Sequence, residues 1–182
     1  MKVLTLLLLA VLCSACFNLK EKVSKNTQTP RIVVIDSTLF RDSTLLMPAS
    51  IRNIYRLTNF SPLWSDTAGF TKKADSLIAY VERSVYHGLT PSHYHAEAIL
   101  AELLNHGDAR LMKVDVLLTD AFFALSNDQK HGRLDAALDF IDRRAVIDSS
   151  AIAFLLNGMD TGSLERWLTP SLPADEQYKQ MA

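Results

Sequence analysis

Cysteine is nearly missing: the 182-residue chain has two, at positions 13 and 16, and none after them. Beyond residue 16 there is no thiol to serve as a nucleophile, to ligate zinc or to form a disulfide. Glycine is scarce as well, with six residues scattered along the chain, which leaves no glycine-rich loop to cradle the phosphates of a nucleotide. Neither sign of charge dominates. Nineteen Lys and Arg against twenty Asp and Glu give a formal net charge of -1, so the basic footprint of a nucleic-acid binder is absent. No H-E-x-x-H pair and no G-x-S-x-G elbow occurs, which removes two common hydrolase signatures. The residues therefore give no basis for naming a catalytic group, a metal site or a cofactor.

What is present begins with a hydrophobic stretch. Met1-Lys2 leads into VLTLLLLAVL, a run too short to span a bilayer and followed by small residues, the pattern of a secretory signal peptide. The segment Leu12-Cys13-Ser14-Ala15-Cys16 resembles a bacterial lipobox, in which the cysteine after small residues is lipidated and becomes the new N-terminus. Cys16 fits that role, although Cys13 stands where an aliphatic residue is usual. The rival reading is an ordinary signal peptide in a secreted protein; Ser14, Ala15 and the lack of a later cysteine to pair with favour the lipobox. The expected organisation is a lipoprotein signal peptide over residues 1–15, a polar tether over 16–30 and a folded domain over 31–182. That places the protein in the bacterial cell envelope, on the periplasmic side, held by acylated Cys16 in membrane lipid.

Residues 31–40, RIVVIDSTLF, are apolar and β-branched without helical period and predict a short extended segment. From residue 48 the pattern turns helical. Ile51, Ile54, Tyr55 and Thr58 share one face, ended by the turn Asn59-Phe60-Ser61-Pro62. Thr71 is a candidate N-cap for a helix with Ala74, Leu77, Ile78, Val81 and Val85 on its stripe, closed by Gly88 in a left-handed conformation. Thr90 and Pro91 then open a helix to about residue 105, with Ala96, Ile99, Leu100, Leu103 and Leu104 as its apolar side. The longest helix runs from Asp108 towards Gly132 and buries Leu111, Val114, Leu118, Ala121, Phe122 and Leu125. Caps at Asp148-Ser149 and Gly162-Ser163 open short helices carrying Ile152, Leu155 and Leu156, then Leu164, Trp167 and Leu168, stopped by Gly158 and Pro170. The fold class expected is all-α, an orthogonal bundle of about six helices behind a short extended N-terminal segment.

Three places invite a chemical reading. HGLTPSHYH holds His87, His93 and His95, but residues two apart on a helix point to nearly opposite sides and cannot clamp one metal ion. Asp135, Asp139 and Asp142 share a helical side, yet Arg133, Arg143 and Arg144 beside them favour a charge-compensated surface over a pair of catalytic carboxyls. Asp115 and Asp120 flank the apolar face of the long helix, where a capping or partner-facing role fits better than catalysis. Tyr94 falls opposite the stripe of its helix, and its ring is expected to fold back on the turn or to meet a neighbour.

Four strings, IYRLTNFSPLWSD, ADSLIAYVERSVYHGLTPSHYH, VDVLLTDAFFALSNDQKHGRLD and LERWLTPSLPADEQYKQ, together resemble the N-terminal scaffold domain of bacterial murein L,D-transpeptidases of the large periplasmic type. The likeness covers about residues 48–180 and rests on Trp64, Gly88, Leu89, Pro91, Tyr94, Leu118, Thr119, Asp120, Gly132 and Arg133 in order and spacing. It implies a part in peptidoglycan cross-linking, which these enzymes perform through a cysteine acyl-enzyme in a following catalytic domain with an S-H-G-C-type motif. No such motif occurs here, so the expectation is a scaffold without its enzyme: a truncated product, a fragment, or a free-standing module. Peptidoglycan or a transpeptidase catalytic domain is then the expected partner, and the alternative is an envelope lipoprotein that binds glycan or protein in trans.

Overall fold

A computed structural model describes residues 34–131, 147, 149–157 and 163–168. Residues 1–33, with the expected signal segment, Cys16 and the expected tether, lie outside the described residues, as do Gly132, Arg133, Asp135, Asp139, Asp142, Asp148, Gly158, Gly162 and Pro170.

The chain is helical, as its periodicity predicts. In order come a 3-10 turn at Ser37–Arg41, helix α1 (Pro48–Leu57), a small hairpin of β1 (Ser65–Asp66) and β2 (Gly69–Phe70), and α2 (Lys72–Arg83). Two 3-10 turns, Ser84–His87 and Pro91–Tyr94, lead to α3 (Ala96–Leu103); α4 (Asp108–His131), α5 (Ser149–Leu156) and α6 (Ser163–Leu168) follow.

The N-terminal segment departs from the expected extended form. Asp36 accepts a hydrogen bond from the Thr38 N–H at 2.8 Å and starts the 3-10 turn, a local alternative that Asp, Ser and Thr offer the backbone. Ile35 and Phe40 are its buried residues. The hairpin was not legible either. Asp66 Oδ1 takes the N–H groups of Ala68 and Gly69, and Gly69 sits at φ 132°, so a side-chain turn and one glycine shape four residues that have no periodicity to read.

Helix α2 begins at the expected cap, with Thr71 Oγ1 accepting from the Ala74 N–H, and Gly88 closes the following turn at φ 72°. Ala74, Leu77 and Val81 are buried, but Val85 is 58% exposed. The reason is phase: α2 stops at Arg83, and the tighter 3-10 turn rotates later side chains off the stripe. The same correction applies beyond Pro91. Instead of one helix there is a 3-10 turn to Tyr94, a left-handed His95 at φ 64°, and α3 from Ala96. The break turns Tyr94, His95 and Ala96 all inward; further along, Leu100 and Leu104, expected on the buried side, are 43% and 82% exposed.

Helix α4 is the centre of the core. It packs against α1, α2, α3 and the Pro91–Tyr94 turn, and every residue from Val114 to Leu125 is buried. A helix surrounded on all sides has no solvent face. Its apolar side chains meet Trp64, Tyr55 and Leu77 in one cluster, with Trp64 and Phe122 in aromatic contact at 6.0 Å. From α5, Phe154 stacks on Trp167 of α6 at 4.5 Å and reaches Phe122 at 6.3 Å, so these short helices are tied to the core through rings.

Candidate functional site

Burial of α4 on all sides traps its polar residues. Asp115, Thr119 and Asp120 have no accessible surface, and each must find partners inside the protein or cost about 1–3 kcal/mol or more unmet.

Asp115 finds four. Its Oδ1 accepts from the Leu63 N–H at 2.9 Å and the Tyr55 hydroxyl at 2.7 Å; its Oδ2 accepts from the Trp64 N–H and the Ser65 hydroxyl, both at 2.9 Å. An ionised carboxylate offers about four lone-pair positions, and all are filled by donors. Burial raises the Asp115 carboxyl above its ordinary range, while the bonds from Leu63, Tyr55, Trp64 and Ser65 draw it back down. Burial and the neighbouring Asp115 also push the Tyr55 phenol well up, so that hydroxyl stays a donor. One turn on, Thr119 Oγ1 donates to the Asp115 carbonyl at 2.9 Å, lies 2.7 Å from the Tyr55 hydroxyl and accepts from Trp64 Nε1 at 2.9 Å.

Asp120 does the same work on a different segment. Oδ1 accepts from the Met47 N–H at 3.0 Å; Oδ2 accepts from the Leu46 N–H at 2.7 Å and meets His95 Nε2 at 2.7 Å. The carboxylate has no proton to offer, so the His95 ring donates. Further along α4, Asp128 Oδ2 accepts from the Tyr94 hydroxyl at 3.0 Å, and Gln129 Nε2 donates to the Tyr80 hydroxyl at 2.7 Å, with Asp128 and Gln129 both buried.

Chain segments distant in sequence thus meet on one helix. Trp64 joins Thr119, Tyr94 joins Asp128, and His95 joins Asp120, while Leu118 fills the core between them and Leu89 and Gly88 form the preceding turn. The three histidines are not brought together: His87 stacks on Tyr80 at 5.9 Å with its imidazole pushed down by burial, His93 is exposed, and His95 is held by Asp120. Among the described residues no group of three His, Cys, Asp or Glu could hold a metal ion. Chemically, Asp115 has no lone pair left to accept a proton from a substrate. What the network can do is fix the backbone on either side of α1, where Leu46, Met47, Leu63 and Trp64 each place an N–H on a carboxylate from α4.

A family model described as Scaffold domain matches residues 49–182. The chain belongs to the L,D-transpeptidase scaffold-domain family. No curated protein and no solved structure matches it. Within this scaffold domain the buried acids are the part that periodicity missed. The usable signal was Asp115, Asp120 and Asp128 in VDVLLTDAFFALSNDQ, since a carboxylate inside so apolar a helix needs donors from other segments. The His95 pairing had no such signal, because it depends on the left-handed break between Tyr94 and Ala96.

Proposed function

We propose that this scaffold domain is a non-catalytic, lipid-anchored module of the cell envelope that serves murein L,D-transpeptidation, holding or orienting the machinery of peptidoglycan cross-linking. The observation that carries the reading is membership of the scaffold family over residues 49–182. Two sequence features support it: both cysteines lie before residue 17, which leaves the domain no thiol for an acyl-enzyme, and Cys16 follows a short apolar segment and two small residues. Anchoring would come from acyl chains, each buried CH₂ contributing about 0.8 kcal/mol, so that two chains hold where one is marginal. Among the described residues no helix is long and apolar enough to cross a membrane.

Two measurements test the proposal. The purified domain, incubated with murein peptides and with a carbapenem probe, should yield neither cross-linked product nor acylated protein; either product sinks the non-catalytic reading. Cells fed labelled palmitate should incorporate label into the full chain and not into Cys16→Ser, and equal labelling of both would remove the anchor.

A second reading, a module that binds glycan or protein in trans, is favoured by the exposed Leu100 of α3 and Leu104 at its C-terminal cap, one helical turn apart. Enrichment of the domain on purified sacculi or with envelope proteins, lost in Leu100→Lys/Leu104→Lys, supports it; no enrichment over an unrelated lipoprotein counts against it.

A further inference from the structure

Residues 34–47 cross the helical body without joining its helices. Their internal bonds are local: Asp36 to the Thr38 N–H, Asp42 to the Thr44 N–H at 2.9 Å and to the Thr44 hydroxyl at 2.7 Å, and the 3-10 turn itself. Among the described residues, three main-chain N–H groups of the segment tie it to the rest, and its Met47 carbonyl accepts from the Ile51 N–H of α1 at 3.0 Å. Ile35 donates to the Phe60 carbonyl at 2.8 Å near one end; Leu46 and Met47 donate to Asp120 at the other. Between them Phe40 packs on Tyr55 at 5.5 Å and Phe60 at 6.3 Å, under the Arg52 guanidinium. Ile35, Leu45 and Met47 are the other buried anchors, while Asp36, Ser37, Thr38, Arg41, Ser43 and Thr44 face solvent. The segment lies outside the family match at 49–182, whereas Asp120 and His95, which lock it, lie inside.

We propose that residues 34–47 form a strap that opens as a unit, ahead of the helical body, with Asp120 as its lock. Local units with few ties and solvent-facing backbone open at lower free energy than an enclosed core, and the contrast here is with α4, buried without a gap from Val114 to Leu125. The lock is specific to a carboxylate. Each Asp120 oxygen faces a backbone N–H, which cannot turn away, so an amide in either orientation sets an NH₂ group against a donor. Opening frees the Leu46 and Met47 N–H groups and bares the seat of Phe40 on Tyr55 and Phe60.

Hydrogen exchange on the full chain tests this directly. In the wild type, the Leu46 and Met47 amides should exchange at least about tenfold faster than those of Leu117 and Leu118 in α4. Asp120→Asn and Phe40→Ala should each speed exchange of the strap a further tenfold or more, roughly, and change α4 less than about threefold. Phe40→Ala decides the matter alone if Asp120→Asn fails to fold. Strap and α4 amides exchanging at one rate, or a Phe40→Ala that accelerates both equally or neither, would overturn the proposal.

Discussion

Replacing Asp115 by asparagine alters one atom and tests whether the α4 network is held by an ionised carboxylate. In the wild type each carboxylate oxygen receives one hydroxyl, which can rotate, and one backbone N–H, which cannot: Tyr55 and Leu63 on Oδ1, Ser65 and Trp64 on Oδ2. An asparagine amide has two orientations. In one its NH₂ meets the Leu63 N–H, and in the other the Trp64 N–H, so each leaves a buried backbone donor facing a donor. One such unmet group costs about 1–3 kcal/mol, and the bonds to the remaining oxygen lose their charge-assisted share. Against this, the neutral amide is cheaper to bury than the carboxylate. The net expected loss is about 2–3 kcal/mol, a large fraction of the 5–15 kcal/mol typical of a domain. Urea unfolding at neutral pH, followed by tryptophan fluorescence, should show an earlier midpoint with unchanged slope. Glu82→Gln, exposed on α2, is the control and should stay within about 0.5 kcal/mol of wild type. If Asp115→Asn also stays within that limit, the four donors are not held by charge and the account of the network is wrong.

Three further outcomes are expected. Trp64→Ala removes a fully buried indole and the donor to Thr119; it should cost roughly 3–5 kcal/mol, and a loss under about 1 kcal/mol would contradict the packing. Tyr94→Phe deletes only the hydroxyl bonded to Asp128 and should lower stability by about 1–2 kcal/mol in the same assay, whereas no change would mean the bond contributes nothing. Burial holds the His87 imidazole below its ordinary value of 6.5, so under that pH the unfolded chain binds more protons. Stability should therefore fall as pH drops from 6.5 through the folded value, and melting curves of His87→Gln should show a shallower fall over that range than wild type; parallel curves would exclude His87 as a source.

The residues that could be placed from sequence and those that could not differ in what determines them. Thr71, Gly88, Pro91 and the core positions Leu77, Val81 and Phe122 obey rules of local spacing and capping, and they occupy the positions those rules assign. Val85 obeys the same spacing and is exposed, because the 3-10 turn at Ser84–His87 resets the helical phase, and a stripe drawn through a phase break counts residues from two different faces; Leu100 and Leu104 keep the helical phase of Ala96 and Ile99 and are exposed even so. Tyr94 is the clearest case. Opposite the stripe of a continuous helix it has no place; with His95 left-handed its ring is buried and its hydroxyl reaches Asp128, thirty-four residues away in sequence. The carboxylates follow from a different cause. A helix pattern with Asp115 and Asp120 beside its apolar face implies that they meet solvent or cap something, and the choice depends on whether a further layer covers them. Here the segments on both sides of α1 supply that layer, and their N–H groups, four in number across Leu46, Met47, Leu63 and Trp64, are what the two acids bind. A donor set made of backbone carries no side-chain signature, so no reading of residue types could have found it; only the demand for it, two acids in an apolar run, was written in the sequence.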